Sequence, residues 1–196
     1  MKTCILLSGW SGSGKDTVGE CLGRLYGAKR LAFADRLKEL VAEQYKFPVQ
    51  WAHTTIGKQT ILPCGKTVRE VLFTEGQFIR QQQNDPELFA RYIAEQILAD
   101  SSTQLVCITD WRLPIEHAVL AKVCFENDIR LLKVQVRREG QTQSDVNHAE
   151  TENALERWVF DIYLTNPGTT IPALEEIIQI KFDDFIDDGN MSSVNL

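Results

Sequence analysis

The sequence predicts a three-layer α/β/α fold, in which helices cover both faces of a mainly parallel sheet of five strands. Short apolar runs alternate with helical patterns, and the first run is followed by a glycine-rich loop. A continuously apolar run such as Leu105-Val106-Cys107-Ile108 suits a strand buried on both faces, as in a parallel sheet. The predicted strands are residues 3–8, 29–34, 105–109, 129–136 and 161–164.

Helical patterns fill the segments between these strands. We expect Asp85 to cap a helix whose first residue is Pro86, because Asp accepts hydrogen bonds from a first turn and Pro fits the first helical position. Asn127 is predicted to end the helix before the fourth strand. The predicted helices are residues 35–45, 86–100, 114–127 and 173–180.

A chain of 196 residues is long enough to bury one sizeable core. We therefore expect a single domain over residues 1–182, with two segments that fit the alternation poorly. Residues 47–83, punctuated by Pro, Gly and Thr, are predicted to form an inserted cap that is helical from Thr67. The polar residues 138–152 are predicted to form a lid, and the acidic residues 183–196 a flexible tail.

The charge and the cysteines restrict the partners and the compartment. A formal net charge of −6 argues against nucleic acid or an anionic membrane as the main partner, so a small anionic substrate would need a local group of Arg and Lys. The five cysteines show no C-x-x-C spacing and favour a reduced, cytoplasmic setting without a zinc site. No apolar stretch is long enough for a transmembrane helix.

The glycine-rich loop that follows the first strand is typical of a phosphate-binding P-loop. It reads Gly9-Trp10-Ser11-Gly12-Ser13-Gly14-Lys15 and precedes a helical pattern. The backbone N–H groups of such a loop and the positive end of the following helix attract phosphate oxygens, and Lys15 adds a full charge. We therefore expect a nucleotide to contact Gly12, Ser13, Gly14 and Lys15.

The two residues after Lys15 bear on the metal. A P-loop usually has Ser or Thr directly after its lysine as a Mg²⁺ ligand, whereas this chain has Asp16 there and Thr17 next. We expect Asp16 and Thr17 to contact the nucleotide and to hold Mg²⁺, with Asp110 taking part through water.

Arginines elsewhere are candidates for binding phosphate. Arg69 and Arg80 lie in the inserted segment and suit bidentate recognition of an acceptor phosphate, although surface salt bridges are the alternative for both. Arg112 and Arg137 follow or end predicted strands, where ligands of open α/β sheets bind, and could stabilise the transferring phosphoryl group. For Arg137 the alternative is a solvated charge at the end of a strand.

Acidic residues give weaker indications. Asp110 follows the third strand and could bind metal or substrate, or simply cap a helix. Asp35 lies where a dinucleotide-binding fold would place its ribose-binding acid, but the glycine spacing of the loop does not fit that fold. His148 and Glu152 lie in the last part of the predicted lid, and a solvated helix start is the plain interpretation of both.

Taken in order, these motifs resemble those of the deoxynucleoside monophosphate kinases of bacteriophage type, within the P-loop nucleoside monophosphate kinase group. The matching segments cover roughly residues 1–180 and are Gly14-Lys15-Asp16-Thr17, Phe33-Ala34-Asp35-Arg36-Leu37-Lys38, Thr67-Val68-Arg69-Glu70 through Arg80, Thr109-Asp110-Trp111-Arg112 and Leu164-Thr165-Asn166-Pro167-Gly168. Residues 45–63 match nothing in that family, and the expected His-x-x-Glu after the lid is shifted by a residue at His148.

The resemblance implies a P-loop kinase fold and transfer of phosphate from Mg-ATP to a deoxynucleoside 5′-monophosphate, with a homodimer common in the family. It implies that Asn166 and Gly168 lie on the adenine side of ATP. It also implies that the acceptor is bound by Asp35, Arg69, Arg80, Asp110, Arg112 and Glu152. Lys15, Arg112 and Arg137 are then the catalytic residues.

Two other functions remain open from the sequence. A kinase of the phosphomevalonate type would use the same arginines but needs no base pocket. A nucleotide-binding regulatory module without turnover would need no arginines on the acceptor side, which makes it the less favoured alternative.

Overall fold

A computed structural model describes residues 1–82, 85–142, 154–155 and 157–186. Its centre is one sheet of five parallel strands in the order β2-β3-β1-β4-β5. Parallel strands end at the same edge of a sheet, so the loops that follow β1, β3 and β4 lie side by side. The strands are β1 (Thr3–Ser8), β2 (Lys29–Leu31), β3 (Leu105–Ile108), β4 (Arg130–Arg138) and β5 (Ile162–Asn166).

Seven α-helices and one 3₁₀ helix lie within the described residues. The first helix follows Gly14 and ends at Gly27, whose φ of 68° is a left-handed conformation that glycine adopts without strain. The helices are α1 (Lys15–Tyr26), α2 (Phe33–Tyr45), the 3₁₀ helix (Val49–His53), α3 (Thr55–Lys58), α4 (Val68–Gln82), α5 (Leu88–Ala99), α6 (Pro114–Glu126) and α7 (Ile171–Ile186).

Alternate residues of β1 point to opposite faces of the sheet and into two separate cores. Cys4 and Leu6 pack with residues of α2, α5 and α6 on one face. Ile5 and Leu7 pack with residues of α1 and α7 on the other. All four side chains are essentially inaccessible to solvent, which is why this strand is apolar throughout. The predicted three-layer fold is therefore confirmed.

The inserted segment has a small core of its own. Val41 of α2, Ala52 of the 3₁₀ helix and Val71 of α4 are each fully buried in this third cluster. The hydroxyl of Tyr45 donates to Glu75 at 2.7 Å and adds a polar link between α2 and α4. These contacts hold the 3₁₀ helix and α4 against α2.

Several predicted boundaries were wrong by a few residues. Strand β2 ends at Leu31 and α2 begins at Phe33, because the backbone N–H groups of Phe33 and Ala34 bond to a side chain rather than to a neighbouring strand. Strands β4 and β5 each continue two residues beyond the predicted ends, and α7 runs to Ile186, past the predicted start of the tail. Asp85 accepts from the Glu87 N–H, but the helix itself begins at Leu88.

No helix in the described part of the chain is both long and apolar enough to cross a membrane. All five cysteines are free thiols, and only Cys64 is exposed.

Candidate nucleotide and acceptor site

The glycine-rich loop crosses from the end of β1 to the start of α1 in a conformation that requires its glycines. Gly9, Gly12 and Gly14 have φ angles of 147°, 78° and 93°, which side chains rarely allow. A Cβ on Gly9 would lie 2.1 Å from the Val136 carbonyl oxygen of β4. The loop therefore has the close-packed, left-handed turns of a phosphate-binding loop ahead of a helix N-terminus.

Lys15 is buried at the start of α1 and folds back over this loop. Its Nζ donates to the carbonyl oxygens of Gly9 at 2.5 Å and Trp10 at 2.8 Å. An ammonium group held against the loop backbone is placed to contact an anion that enters the loop.

The end of β5 supports the other side of the loop. Nδ2 of Asn166 donates to the carbonyl oxygen of Ser13 at 3.0 Å, and its Oδ1 accepts from the Gly168 N–H at 2.9 Å. Within the described residues, the buried Ser13 hydroxyl has no hydrogen-bond partner. A buried hydroxyl without a partner in such a loop fits a phosphate oxygen as its acceptor.

Asp16 is held by two side chains from neighbouring strands. Oδ1 accepts from Nη2 of Arg30 at 2.9 Å and from the hydroxyl of Thr109 at 2.8 Å. Partial burial raises the pKa of Asp16, but the hydrogen bonds from Arg30 and Thr109 outweigh it and hold that pKa below its usual value. Asp16 is therefore ionised at neutral pH, and all the hydrogen bonds it makes within the described residues use Oδ1.

Asp110 fixes the start of α2. Its two carboxylate oxygens accept from the backbone N–H groups of Phe33 at 2.8 Å and Ala34 at 2.9 Å. Burial raises the pKa of Asp110, whereas these two N–H groups lower it. The carboxylate satisfies N–H groups at a helix N-terminus, which have no partner inside the helix. Its predicted contact with metal or substrate stays a prediction.

Asp35 faces cations on both sides. Its Oδ1 accepts from Nζ of Lys38 at 2.7 Å, one turn further along α2, and its Oδ2 accepts from Nη1 of Arg30 at 3.4 Å. Because Arg30 also pairs with Asp16, the ion pairs form one network that runs from Asp16 through Arg30 and Asp35 to Lys38.

A group of cations lies around the last residue of α3, Lys58. Burial lowers the pKa of the Lys58 ammonium group, and the positive charges of Lys38 and Arg69 lower it further. Asp16 raises this pKa, and Arg112 lowers it. The cations come from α2, α3, α4 and the segment after β3, and α1 contributes the carboxylate of Asp16, so these charges interact with one another beside the P-loop. We call Lys38, Lys58, Arg69 and Arg112 the cation group.

A cavity of about 260 Å³ opens on the opposite side of the loop, between the end of β1 and the end of β4. Gly9, Gln135, Arg137 and Gln141 are among the residues that line it. Nε2 of Gln141 donates to the carbonyl oxygen of Ser11 at 2.6 Å. Arg137 is exposed at the end of β4, next to the loop, where the sequence placed it.

The structure places most of the predicted site residues at the edge of the sheet where the carboxyl ends of the strands lie. They are the residues of the glycine-rich loop, Asp16, Asp35, Arg69, Asp110, Arg112, Asn166 and Gly168. The backbone of Arg80 lies in α4. The Arg80 side chain, His148 and Glu152 lie outside the described residues.

Sequence reasoning missed Arg30, Lys38, Lys58 and Thr109. Lys38 has a weak local signal, because it stands three positions after Asp35 on one helical face. Arg30 and Thr109 contact Asp16 only through the pairing of β2 with β3, which no local pattern reveals.

The donor atoms fit Mg²⁺ bound together with phosphates. Within the described part, no group of three or more His, Cys, Asp or Glu residues could hold a metal ion by itself. Mg²⁺ bound to a nucleotide uses one or two protein oxygens with phosphates and waters. Thr17, partly exposed in the first turn of α1, and Oδ2 of Asp16 are oxygens of the right kind.

No protein-family model and no curated protein matches the chain. Solved structures do match it over nearly their whole length. The APS kinase CysC of Mycobacterium tuberculosis, in complex with AMPPNP and APS, is 16% identical, with 91% of this chain and 96% of that chain covered and a TM-score of 0.52. TT1252 from Thermus thermophilus is 16% identical, with 96% and 98% covered and a TM-score of 0.50.

A protein of Chloroflexus aurantiacus named as a kinase is 13% identical, with 96% of this chain and 98% of that chain covered and a TM-score of 0.51. At these identities the likeness concerns the fold. Together with the loop geometry, it shows that the chain has the three-layer fold of the P-loop kinases.

Proposed function

We propose that this protein is an ATP-dependent kinase that phosphorylates a deoxynucleoside 5′-monophosphate to its diphosphate. The observation that carries the proposal is the presence of two phosphate-binding features at one sheet edge. One is the P-loop with Lys15, and the other is the cation group, which interacts with Asp16 directly after that lysine. A nucleotide hydrolase needs only the first, whereas transfer between two phosphorylated molecules needs both.

The APS kinase with a related fold was determined with AMPPNP, an ATP analogue, which supports ATP as the donor. In the proposed reaction, an oxygen of the acceptor phosphate attacks the γ-phosphorus of ATP. The new P–O bond forms as the bond from the γ-phosphorus to the β–γ bridging oxygen breaks, and ADP leaves. The second pKa of a phosphate monoester is near 6, so the attacking oxygen is ionised at neutral pH and needs no general base.

The chain's own residues position and neutralise charge in this scheme. Lys15 and the loop N–H groups hold the ATP phosphates, and Arg69 binds the acceptor phosphate. Asn166 supports the loop through its hydrogen bond to the Ser13 carbonyl oxygen. Arg112 and Arg137 approach the transferring group from β3 and β4. Mg²⁺, held by Thr17 and Asp16, would neutralise the developing charge on the phosphate oxygens.

The test is ADP formation from Mg-ATP with a panel of deoxynucleoside monophosphates, ribonucleoside monophosphates and phosphomevalonate. Turnover with one or more deoxynucleoside monophosphates supports the proposal and identifies the base. Turnover with phosphomevalonate alone would identify a kinase of the phosphomevalonate type instead. ATP binding without any turnover would favour a regulatory module.

A matched pair of variants then tests the acceptor side. Arg69→Met should raise the acceptor KM about tenfold or more while leaving the ATP KM within twofold, because a charge-assisted contact is lost. Arg91→Met removes an exposed arginine of α5 that pairs with Asp85 and Glu87, and it should leave both KM values as in the wild type.

A further inference from the structure

The segment that matches nothing in the resembling family, residues 45–63, is mostly exposed but is anchored by a few buried residues, among them Ala52 and Gly57. The Thr54 hydroxyl accepts from the Gly57 N–H at 3.0 Å and caps α3. Gly57 is buried, and a Cβ there would lie 2.5 Å from both the Cα and the carbonyl oxygen of Trp51. Glycine thus allows α3 to pack directly on the 3₁₀ helix, and this contact sets the position of the next residue, Lys58.

The surroundings of Lys58 contain charges from several elements. The 3₁₀ helix contacts α2 and α4, and α3 contacts the 3₁₀ helix and α4. His53, at the end of the 3₁₀ helix, has its pKa lowered by burial and by the positive charges of Lys38, Arg30 and Lys58, which together outweigh the opposite effect of Asp35. Positive charge therefore dominates both ends of this short stretch.

Lys58 lacks the compensation that its neighbour Lys38 has. Lys38 pairs with Asp35 at 2.7 Å. Among the residues that the structure describes, no carboxylate lies within salt-bridge distance of Lys58 or Arg69. A partly buried ammonium group close to other cations and without an acidic partner is electrostatically unfavourable, and an anion bound there relieves that cost.

We propose that Lys58 is a binding residue for the acceptor phosphate, and that residues 49–58 are the acceptor-recognition element of this chain. The inference rests on the proposed function for the identity of the acceptor. The existence of an anion site at Lys58 is independent of the proposed function, because it follows from the placement of the cation group. The Val68 N–H donates to the Thr60 carbonyl oxygen at 3.0 Å, which brings the chain just after Lys58 beside the start of α4, where Arg69 lies. Lys58 also interacts electrostatically with Arg112 and with Asp16 of the first turn of α1, so an anion bound at Lys58 would lie near the P-loop.

The first test uses inorganic phosphate as the probe and follows the pKa of the Lys58 ammonium group by NMR, with the signal assigned by its loss in Lys58→Met. Phosphate should raise this pKa, and the NMR signal of the exposed Lys66 should not respond to phosphate. The same shift should remain in Lys15→Met, in which the P-loop is weakened as a phosphate site. A Lys58 pKa that does not respond, or a response that disappears in Lys15→Met, overturns the inference.

The second test is kinetic. Lys58→Met should raise the KM of the acceptor nucleotide tenfold or more and leave the Kd of AMPPNP within twofold, whereas Lys66→Met serves as the matched control and Lys58→Arg should recover most of the affinity. An unchanged acceptor KM in a folded Lys58→Met variant contradicts the inference. If the wild type turns over no nucleotide, the proposed function fails, and the phosphate titration still decides the role of Lys58.

Discussion

The guanidinium of Arg30 donates two hydrogen bonds to Oδ1 of Asp16, from Nη2 at 2.9 Å and from Nε at 3.2 Å. Arg30 belongs to the edge strand β2, whereas Asp16 lies in the first turn of α1. The ion pair thus joins the helix that follows the glycine-rich loop to the outermost strand of the sheet. It also accounts for an acidic residue at the position where a P-loop usually has a hydroxyl.

This ion pair gives stability a pH dependence. The folded-state pKa of Asp16 is below its unfolded value of about 3.9, so its contribution is present above that pH and is lost as the pH falls through the folded pKa. Asp16→Asn should lower the free energy of unfolding at pH 7 by at most about 1 kcal/mol, since the Asp16 side chain is 70% exposed. Urea titrations at pH 7 and below pH 3 measure this.

The difference between Asp16→Asn and the wild type should shrink toward zero at the lower pH. The exposed Glu43→Gln of α2 is the control and should differ little from the wild type at pH 7. A difference that persists unchanged below pH 3 would show that Asp16 acts through packing rather than through its charge.

Lys15 carries the second prediction. Lys15→Met removes the cation held against the Gly9 and Trp10 carbonyls, so under the proposed function the ATP phosphates would lose their charge partner at the loop. We expect kcat to fall at least about 100-fold, the scale on which a single donor to developing charge acts. Steady-state ADP formation measures kcat, and AMPPNP titration measures the affinity for the nucleotide. Lys122→Met, at an exposed position of α6, is the control, and a Lys15→Met kcat within tenfold of the wild type would exclude the assigned role.

The sequence predicted the fold well because its signals are local. A glycine-rich loop after Thr3–Ser8 and continuously apolar runs define a parallel sheet with a ligand edge, and the strand that carries Leu105 was placed to within a residue. The proposed acceptor side depends instead on tertiary contacts. Lys58 lies in a segment without periodicity, and its electrostatic interaction with Arg69 and Arg112 arises only when α3 packs against α4.

The link between Asn166 and the loop gives a third prediction. Asn166→Ala leaves the Ser13 carbonyl and the Gly168 N–H without the partners they have here, at a site where Asn166 is only 9% exposed. An unsatisfied buried group costs about 1–3 kcal/mol, so the free energy of unfolding should fall by that amount and the KM for ATP should rise. Urea unfolding and kinetics measure this.

The control for Asn166→Ala is Asn127→Ala, which removes an exposed bond to the Val123 carbonyl after α6. It should leave the ATP KM unchanged. If both variants alter the ATP KM equally, the effect on the loop is not specific to Asn166.

The contact between Gly19 of α1 and Thr109 gives the last prediction. A Cβ on Gly19 would lie 2.6 Å from Cγ2 of Thr109, whose hydroxyl holds Asp16. Gly19→Ala gains up to about 1 kcal/mol of helix propensity, but overpacking costs about 1–3 kcal/mol, so we expect net destabilisation and a displaced Thr109 hydroxyl.

Thr109→Ser removes Cγ2 and keeps the hydroxyl. In that background Gly19→Ala should be neutral or stabilising, because the next nearest side-chain atoms, from Cys107 and Arg30, lie 3.8 and 4.0 Å from the added Cβ. A double-mutant cycle on the free energy of unfolding measures the coupling, and strictly additive effects would rule out the clash as the cause.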